Sequence, residues 1–486
     1  MPMAKHACMM SSFCIFAFLL ATSCSTIYPR VDSQGQPQYE YVYHVPEETG
    51  DGWETSSLQA EGVGLERVNE LIRNILNRKF ENVHSVLLVK NGKLILEEYF
   101  YGYDRSKKHQ LRSATKSVTS ILVGIARDQK RIKSVDQKLY EFFPEYEEID
   151  WRVPKNKITL KHVLTMSAGL DWNEWTYPDS DARSSIYGMV RSDDWIKFVL
   201  KREIVQSPGE IFNYSSGLSL VLGAILKNTT GLYANEYAEK YLFAPLGISD
   251  FSWQQGPKGM VYTSGGNRGL WLRPRDMAKI GLLFINKGNW KGQQIVPIKW
   301  VNESSKPHIN AFFAGSEYGY QWWCGEKDFG NRTIGVFYAA GHGGQYIFVC
   351  PSLDLVAVFT SKVYGNPLGV ARPQVMMVDY IIPAMLSLSP SPKKIESEPK
   401  LKSEYTGEYE SKVLRVKLKI FEEGNDLSCK VFREQTKMLY ESENKFFGTL
   451  QDIGNVQFNF IRDEDGKVDK VITKIGFAIL QFEKIM

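Results

Sequence analysis

Residues 113–125 read SATKSVTSILVGI, and this stretch decides how the rest of the chain is interpreted. Apolar residues recur in it at helical spacing, which predicts an amphipathic helix. The residues of the apolar stripe are Val118, Ile121, Leu122 and Ile125. Ser113 opens this helix, and residues three apart on a helix share a face, so the Lys116 amine can reach the Ser113 hydroxyl. Free backbone NH groups at a first helical turn also favour developing negative charge.

The Ser-x-x-Lys string by itself does not identify a nucleophile. It occurs four times, and only the copy at Ser113 opens an apolar-striped helix; the others start at Ser391, Ser397 and Ser442. A serine hydroxyl needs an adjacent base, and a lysine serves as one only if its pKa is depressed from about 10.4. On its own the string favours a serine helix cap beside a solvated lysine, so other segments must decide.

Two further segments bear on this choice. Residues 208–217, PGEIFNYSSG, put Tyr214 in a turn just before a helix, where a tyrosine is usually a packing residue. Residues 340–347, AGHGGQYI, put His342 among three glycines at the start of an apolar strand. Paired glycines cost backbone entropy and commonly mark a close approach of the main chain.

The order Ser-x-x-Lys, Tyr-x-x and His-x-Gly resembles the serine β-lactamase / penicillin-binding superfamily, with the class C-like esterases and 6-aminohexanoate-dimer hydrolases the most similar members. The three motifs stand at residues 113–116, 214–216 and 342–344. The segments at 158–170 and 272–278 agree with this resemblance, which covers roughly residues 60–386.

The resemblance implies a role for each matching residue. Ser113 would be the acyl-forming nucleophile, and Lys116 and Tyr214 together would take its proton and pass it to the leaving group. Water would then cleave the acyl-enzyme, with Tyr214 as the base. The NH groups of Ser113 and Gln345 would form the oxyanion hole.

The glycine turn and its departures from the family pattern bear on the substrate. Gly343 and Gly344 would keep the strand edge open, and His342 would line the cleft and donate to the substrate or to Tyr214. Ser216 takes the substrate-binding position where the family has Asn, and His342-Gly343 replaces the cation and hydroxyl that hold a β-lactam carboxylate. Losing a charged hydrogen bond costs about 1.5–3 kcal/mol, which favours ester or small-amide substrates over β-lactams.

Aromatic residues fill the irregular stretch 171–181, which contains Trp172, Trp175 and Tyr177. Near the pocket they would form an apolar lid, with Trp175 and Tyr177 against the substrate. The alternative is a loop pinned by buried aromatic rings, and the two interpretations are equally supported.

The first 23 residues are predicted to be a signal peptide, because Lys5 and His6 lead into an apolar run at 13–20 that is too short to span a bilayer. The run ends in Leu-Ala-Thr-Ser before Cys24, which resembles a bacterial lipobox with lipid on Cys24. We therefore expect export and a lipid anchor in the membrane of the cell envelope. Ordinary signal cleavage, with Cys24 incidental, is the alternative.

Composition excludes several classes of protein. The 486 residues are 43% hydrophobic and 23% charged, as in folded soluble proteins, which rules out disordered chains and rods. A net charge of only +4 argues against nucleic-acid partners bound by bulk charge. The six cysteines form no CxxC pair, so neither a zinc site nor any other metal or organic cofactor is expected, although a Cys324–Cys350 bridge stays open.

The predicted fold class is α+β, a β-lactamase-like antiparallel sheet flanked by helices plus an all-helical subdomain, followed by a small C-terminal antiparallel β domain. Apolar strands on both sides of Asn91-Gly92 predict an early hairpin, and strands return around residues 335–338, 346–349 and 355–360 after a mostly helical middle. The expected divisions after the signal peptide are a tether, the hydrolase domain, a linker and a lipocalin-like β domain, at residues 24–57, 58–386, 387–400 and 401–486.

The sequence thus predicts an exported serine hydrolase that cleaves esters or small amides through an acyl-enzyme on Ser113, without a cofactor. A β-lactamase or D-alanyl carboxy/endopeptidase is one alternative. A non-catalytic envelope binding protein on the same scaffold is another. The sequence leaves the oligomeric state open.

Overall fold

The chain is described by a computed structural model. The described residues are 30–31, 37–38, 41–174, 176–256, 259–266, 269–311, 316–364, 371–388, 402–411, 416–431, 434–442, 444–450 and 454–485. The predicted signal peptide, Cys24, Trp175 and most of the predicted linker lie outside them. Within these ranges, no helix is both long and apolar enough to cross a membrane.

Helices cover both faces of a central sheet and fill the middle of the chain. They are α1 Leu65–Leu76, α2 Thr115–Asp128, α3 Leu160–Leu164, α4 Ser185–Arg191, α5 Trp195–Lys201, α6 Ser216–Thr230, α7 Ala234–Ala238, α8 Pro274–Ile285, α9 Ile298–Ser304, α10 Arg372–Met376 and α11 Ile382–Met385. Two single-turn π segments, Glu239–Phe243 and Met377–Ile381, extend α7 and join α10 to α11.

Long strands occur at both ends of the first domain and throughout the second, and strands of two or three residues lie between the two ends of the first domain. In the first part of the chain they are β1 Arg30–Val31, β2 Pro37–Gln38, β3 Val83–Lys90, β4 Lys93–Tyr99, β5 His109–Gln110, β6 Ser252–Trp253, β7 Leu270–Leu272, β8 Asn289–Trp290, β9 Gln293–Gln294, β10 Ile309–Asn310, β11 Glu317–Tyr318, β12 Trp323–Phe329, β13 Arg332–Gly341, β14 Gln345–Cys350 and β15 Leu355–Ser361. After the predicted linker they are β16 Gly407–Ser411, β17 Val416–Glu423, β18 Asp426–Val431, β19 Glu434–Ser442, β20 Lys445–Leu450, β21 Gly454–Arg462, β22 Val468–Ile475 and β23 Ala478–Lys484.

The predicted sheet is present as eight antiparallel strands in the order β10-β11-β12-β13-β14-β15-β3-β4. The early hairpin and the late strands meet because β15 pairs with β3. Asn91 and Gly92 turn the hairpin with φ values of 51° and 80°, the left-handed conformations that a tight two-residue turn requires. Val68, Leu71, Ile72 and Ile75 recur at helical spacing in the sequence, and the helix that this spacing predicts is present as α1 with all four residues buried.

Each strand of the sheet sends alternate side chains to two separate apolar cores. One core lies between the sheet, α2 and α8 and contains Ile347 and Val358. The other lies under α1, α10 and α11 and contains Phe348 and Phe359. The predicted α+β class is confirmed, with the helical part of the chain packed on the first of these cores.

The helix that carries Lys116 differs from its prediction in one respect. Its amphipathic pattern predicts an exposed polar face, yet every residue of α2 from Thr115 to Ala126 is buried. Two of its polar side chains have partners in distant segments: the Ser117 hydroxyl donates to the Gln321 carbonyl at 2.6 Å, and the Thr119 hydroxyl donates to the Thr263 carbonyl at 3.0 Å. A polar helix face can be buried when its hydroxyl groups are hydrogen-bonded in this way.

The C-terminal β domain is a closed barrel of eight strands in sequence order, with β16 pairing both β17 and β23. Apolar residues alternate with lysines in the sequence from Val416 to Ile420, which predicts a strand, and on β17 the apolar residues face inward and the lysines outward. Closure leaves no free sheet edge and encloses an apolar interior that includes Phe458 and Phe460.

Residues 41–57, which fall in the predicted tether, lie against the edge of the sheet. The Tyr41 hydroxyl donates to Glu98 at 2.7 Å, and the Tyr43 hydroxyl donates to the Ile95 carbonyl at 2.8 Å. Both acceptors belong to β4.

The cysteines of the described residues are not paired. Cys324, Cys350 and Cys429 are free and buried. The Cys324–Cys350 bridge that the sequence left open is therefore absent from this structure.

Candidate active site

Ser113 lies in a single 3₁₀ turn, Arg112–Ala114, immediately before α2. Arg112 holds the left-handed conformation at φ 51°, which costs free energy in a residue with a side chain. Two glycines press on this turn. A Cβ atom on Gly265 would stand 2.1 Å from the Arg112 carbonyl oxygen, and one on Gly341 would stand 2.1 Å from the Leu111 carbonyl oxygen. The packing of main chain against main chain thus sets the position of Ser113.

Lys116 points back from α2 into the fold and is 1% exposed. Its Nζ donates to Ser113 Oγ at 3.1 Å, to Ser216 Oγ at 3.2 Å and to the Ser264 carbonyl at 2.6 Å. Three acceptors match the three protons of an ammonium group. Burial nevertheless lowers the pKa of Lys116 to about 8, against the opposing effect of Glu174 and Asp179. A neutral amine is therefore accessible near physiological pH.

Tyr214 lies in the turn before α6, and its side chain is hydrogen-bonded to that of Ser113. Its buried ring stacks on Trp323 with centroids 6.0 Å apart, and Lys116 Nζ lies 4.8 Å from the centre of the Tyr214 ring. Burial and the Glu174 charge raise the pKa of Tyr214 well above its usual range, although a hydrogen bond with Ser113 opposes them. The phenol is thus protonated at neutral pH and can accept a proton only by passing its own to a neighbour.

A carboxylate that the sequence did not predict completes this group. Glu174 Oε1 accepts from Ser216 Oγ at 2.9 Å, and Glu174 Oε2 accepts from the Ser216 amide at 2.7 Å and from the Trp172 indole at 2.6 Å. Ser216 therefore links the Lys116 amine to the Glu174 carboxylate. Burial raises the pKa of Glu174, while Lys116 and these hydrogen bonds lower it. In the sequence, the one feature that could have drawn attention to Glu174 is its place between two tryptophans, Trp172 and Trp175.

The glycine turn between β13 and β14 borders the same region. Gly343 and Gly344 have φ values of 87° and 93°, and added Cβ atoms would come within 2.5 Å of the Tyr364 ring and 2.9 Å of Ser361. The His342 ring lies 5.3 Å from the Tyr364 ring, and the Arg112 guanidinium lies 4.8 Å from the same ring. The surrounding protein and the Arg112 charge lower the pKa of His342, although the side chain is exposed.

The Gln345 side chain is hydrogen-bonded to the main chain of the neighbouring strand β15. Its Nε2 donates to the Ser361 carbonyl at 2.5 Å, and its Oε1 accepts from the Ser361 amide at 3.3 Å. These bonds tie the first residue of β14 to the last residue of β15. The predicted role of Gln345 in the oxyanion hole therefore depends on its main-chain NH alone.

The aromatic stretch shows features of a pinned loop. Trp172 is buried and bonded to Glu174, and the Arg183 guanidinium lies 4.0 Å from the centre of the Tyr177 ring. The predicted contact of Tyr177 with a substrate stays a prediction. Trp175 lies outside the described residues.

The structure thus brings together Ser113, Lys116, Tyr214 and Ser216 and places the His342 turn beside them. No cluster of three or more His, Cys, Asp or Glu side chains that could hold a metal ion occurs within the described ranges.

Two family models match the chain. The β-lactamase model covers residues 69–378, which is more than half of the chain. The chain belongs to the β-lactamase family. A model described as a domain of unknown function, DUF3471, covers residues 391–484 and hence the barrel of this β-lactamase-family protein.

Similar proteins support the same assignment. A 6-aminohexanoate-dimer hydrolase from Paenarthrobacter ureafaciens is 27% identical over 321 residues, which cover 62% of this chain and 78% of that protein. Protein flp from Staphylococcus aureus strain MRSA252 is 24% identical over 199 residues, which cover 39% of this chain and only 38% of flp. The predicted superfamily is confirmed.

Solved structures show the same fold. The octameric penicillin-binding protein homologue from Pyrococcus abyssi has a TM-score of 0.53 at 18% identity, and the match covers 86% of this chain and 99% of that one. EstCE1, a hydrolase with promiscuous acyltransferase activity, has a TM-score of 0.50 at 16% identity and covers 63% of this chain and 94% of its own.

The Glu174→Gln substitution tests the electrostatic link between Glu174 and Lys116. The Glu174 charge raises the pKa of Lys116, so removing it lowers that pKa and populates the neutral amine at lower pH. In Glu174→Gln, the acidic limb of the pH profile of kcat/KM for a neutral ester should shift by about 1 pH unit to lower pH.

Asp179→Asn is the matched control. The Asp179 carboxylate lies on the same loop but is exposed, so water screens its charge, and removing it should shift the acidic limb less than Glu174→Gln does. An unchanged limb, or one at higher pH, in Glu174→Gln would contradict the link.

Proposed function

We propose that this protein is a serine hydrolase that cleaves esters or small amides through an acyl-enzyme on Ser113. The observation that supports this proposal best is the buried Lys116 amine, 3.1 Å from Ser113 Oγ, with a pKa lowered to about 8. A general base works best when its pKa is near the operating pH and when it reaches the proton that it removes. A serine helix cap beside a solvated lysine, the alternative interpretation of the string, does not fit a lysine that is 1% exposed.

Acylation begins with the neutral form of Lys116. Its amine takes the Ser113 proton as Oγ attacks the substrate carbonyl carbon, and the carbonyl oxygen gains a negative charge. The NH groups of Ser113 and Gln345 are the proposed donors to this oxygen. Tyr214 then protonates the leaving group and is reprotonated by the Lys116 ammonium as the bond to the leaving group breaks. The alcohol or amine leaves, and the acyl group stays on Ser113.

Deacylation repeats these transfers with water as the nucleophile. Water adds to the acyl carbon, and its proton passes through Tyr214 to Lys116. The bond to Ser113 Oγ then breaks, Oγ recovers a proton from Lys116, and the acid leaves. Tyr214 acts throughout as a relay because its raised pKa keeps the phenol neutral between transfers.

Glu174 and Ser216 have a positioning role in this proposal. The Glu174 carboxylate fixes the Ser216 hydroxyl and amide, and Ser216 in turn fixes the Lys116 amine. Ser216 is also shorter than the Asn that the family has at this position. Its hydroxyl is hydrogen-bonded to Lys116 and Glu174, whereas the Asn side chain would extend towards a substrate amide. This arrangement supports substrates that need no side-chain amide contact.

Two of the similar proteins support the choice of substrate and reaction. The relative from Paenarthrobacter ureafaciens is named a hydrolase of the 6-aminohexanoate dimer, which supports small-amide substrates. EstCE1 is described as a hydrolase with promiscuous acyltransferase activity, which supports acyl transfer in general.

We further propose that the protein is exported and anchored in the cell envelope by lipid on Cys24. The support for this location is the basic lead, the short apolar run and the small residues before Cys24.

A fluorophosphonate tests the nucleophile directly. The full-length chain should gain the mass of one adduct, because the probe phosphonylates an activated serine, and Ser113→Ala should gain none. Ser442→Ala is the matched control: this serine opens another Ser-x-x-Lys string, on β19 of the barrel, and the variant should react like wild type. If folded wild type forms no adduct, Ser113 is not activated and the binding-protein alternative replaces this proposal.

Turnover of nitrocefin distinguishes the proposed activity from that of a β-lactamase. The turn has no lysine or threonine to hold a β-lactam carboxylate, and Thr does not fit at Gly343, where φ is 87° and Tyr364 is too close. We expect wild type to hydrolyse a p-nitrophenyl ester while nitrocefin hydrolysis stays weak. Since a charged hydrogen bond contributes about 1.5–3 kcal/mol, His342→Lys should raise the nitrocefin-to-ester ratio of kcat/KM by roughly 10-fold or more.

The matched control for this experiment is His44→Lys, which adds the same charge at an exposed position in the segment before α1. It should leave the ratio unchanged. Efficient nitrocefin turnover by wild type would favour the β-lactamase alternative instead.

A further inference from the structure

The barrel inserts one hairpin tip into the β-lactamase domain. The tip joins β22 to β23 and contains Gly476 and Phe477. Phe477 is only 3% exposed, and its ring lies 6.4 Å from Tyr338 and 6.3 Å from Phe348, on the face of the sheet covered by α1 and α10. An aromatic side chain of the second domain is therefore part of the apolar core of the first.

Gln374 connects this tip to the sheet. It is 6% exposed on α10; its Oε1 accepts from the Phe477 amide at 3.1 Å, and its Nε2 donates to the Tyr346 hydroxyl at 3.4 Å. The approach is close, because a Cβ atom on Gly476 would stand 2.4 Å from the Gln374 Cβ. One buried amide thus joins the barrel to β14, and burial makes both of its hydrogen bonds costly to lose.

The same short helix supports the glycine turn of the candidate active site. A Cβ atom on Gly344 would stand 3.7 Å from Pro373 Cγ, in ordinary contact. Tyr346, which Gln374 holds, directly follows Gln345. On its opposite side α10 contributes Val375 to the apolar interior of the barrel. The helix therefore lies between the barrel and the strand end that would carry the oxyanion donor.

We propose that the barrel positions the Gln345 strand end through α10, with Gln374 as the positioning residue. This inference rests on the proposed function, since it assigns the Gln345 NH to the oxyanion hole. Donors in such a hole work only at the right distance, and a misplacement of about 1 Å can cost 100-fold in rate. The function of the DUF3471 barrel in this chain is then to hold the catalytic strand in register.

The test compares Gln374→Ala with wild type in the full-length chain, well below the melting temperature of either protein. Loss of both hydrogen bonds should lower kcat for a p-nitrophenyl ester by about 10-fold and leave KM within 2-fold, because ground-state binding does not use the oxyanion donors. The rate of fluorophosphonate labelling should fall in parallel. Asn455→Ala is the matched control: it removes a 2.7 Å hydrogen bond to Asp379 at the exposed rim of the same interface and should keep wild-type kcat.

Each outcome of the test separates positioning from mere stabilisation. If Gln374→Ala lowers the melting temperature but keeps wild-type kcat, the barrel only stabilises the fold and the inference is wrong. If Gln374→Ala does not fold, Gln374→Met replaces it under the same criteria, since methionine fills a similar volume and removes both hydrogen bonds. Wild-type turnover that Ser113→Ala abolishes shows that the proposed function holds even when the Gln374 variant behaves like wild type. Absence of that turnover contradicts the proposed function and this inference together.

Discussion

The structure around Ser113 depends on the burial of one lysine amine. Removing a charge from water is costly unless hydrogen bonds replace the lost solvent, and Lys116 receives three acceptors for its three protons. The remaining cost appears as a pKa lowered to about 8. Because burial disfavours the protonated form of the Lys116 amine, it also leaves the neutral amine available as a base. Tyr214 behaves in the opposite way, since burial keeps its phenol protonated.

Long-range packing holds these groups in place. Gly265, in a loop, and Gly341, at the end of β13, let distant main chain press on the turn that contains Ser113. A Cβ atom at either position would stand 2.1 Å from a carbonyl oxygen of residues 111–112. The Glu174 carboxylate fixes Ser216 at the start of α6, and Ser216 fixes the amine. Behind the sheet, Gln374 of α10 is hydrogen-bonded both to the barrel tip at Phe477 and to Tyr346 of β14. The site is therefore built from segments that lie far apart in the β-lactamase domain, and the barrel contacts that domain behind the sheet.

Local patterns in the sequence predict the parts of this structure that local forces determine. The α1 stripe, the Asn91-Gly92 hairpin and the barrel alternation all follow from periodicity and turn chemistry, and each is present. Burial of α2 on every side could not be predicted, because the partner of Ser117 lies 204 residues away at Gln321. Glu174 escaped prediction for the same reason: only the folded chain brings it to Ser216, 42 residues later. Barrel closure likewise depends on pairing the first strand with the last, which alternation alone does not specify.

An NMR titration can show whether Lys116 is a buried base that titrates near neutrality. The chain would be labelled with ¹³C at lysine Cε, and the Lys116 resonance would be assigned from its absence in Lys116→Arg. We expect this resonance to titrate at about 8, well below the usual lysine value of about 10.4. A Lys116 resonance that titrates above 10 would show a permanently charged ammonium at neutral pH and would rule out Lys116 as the base.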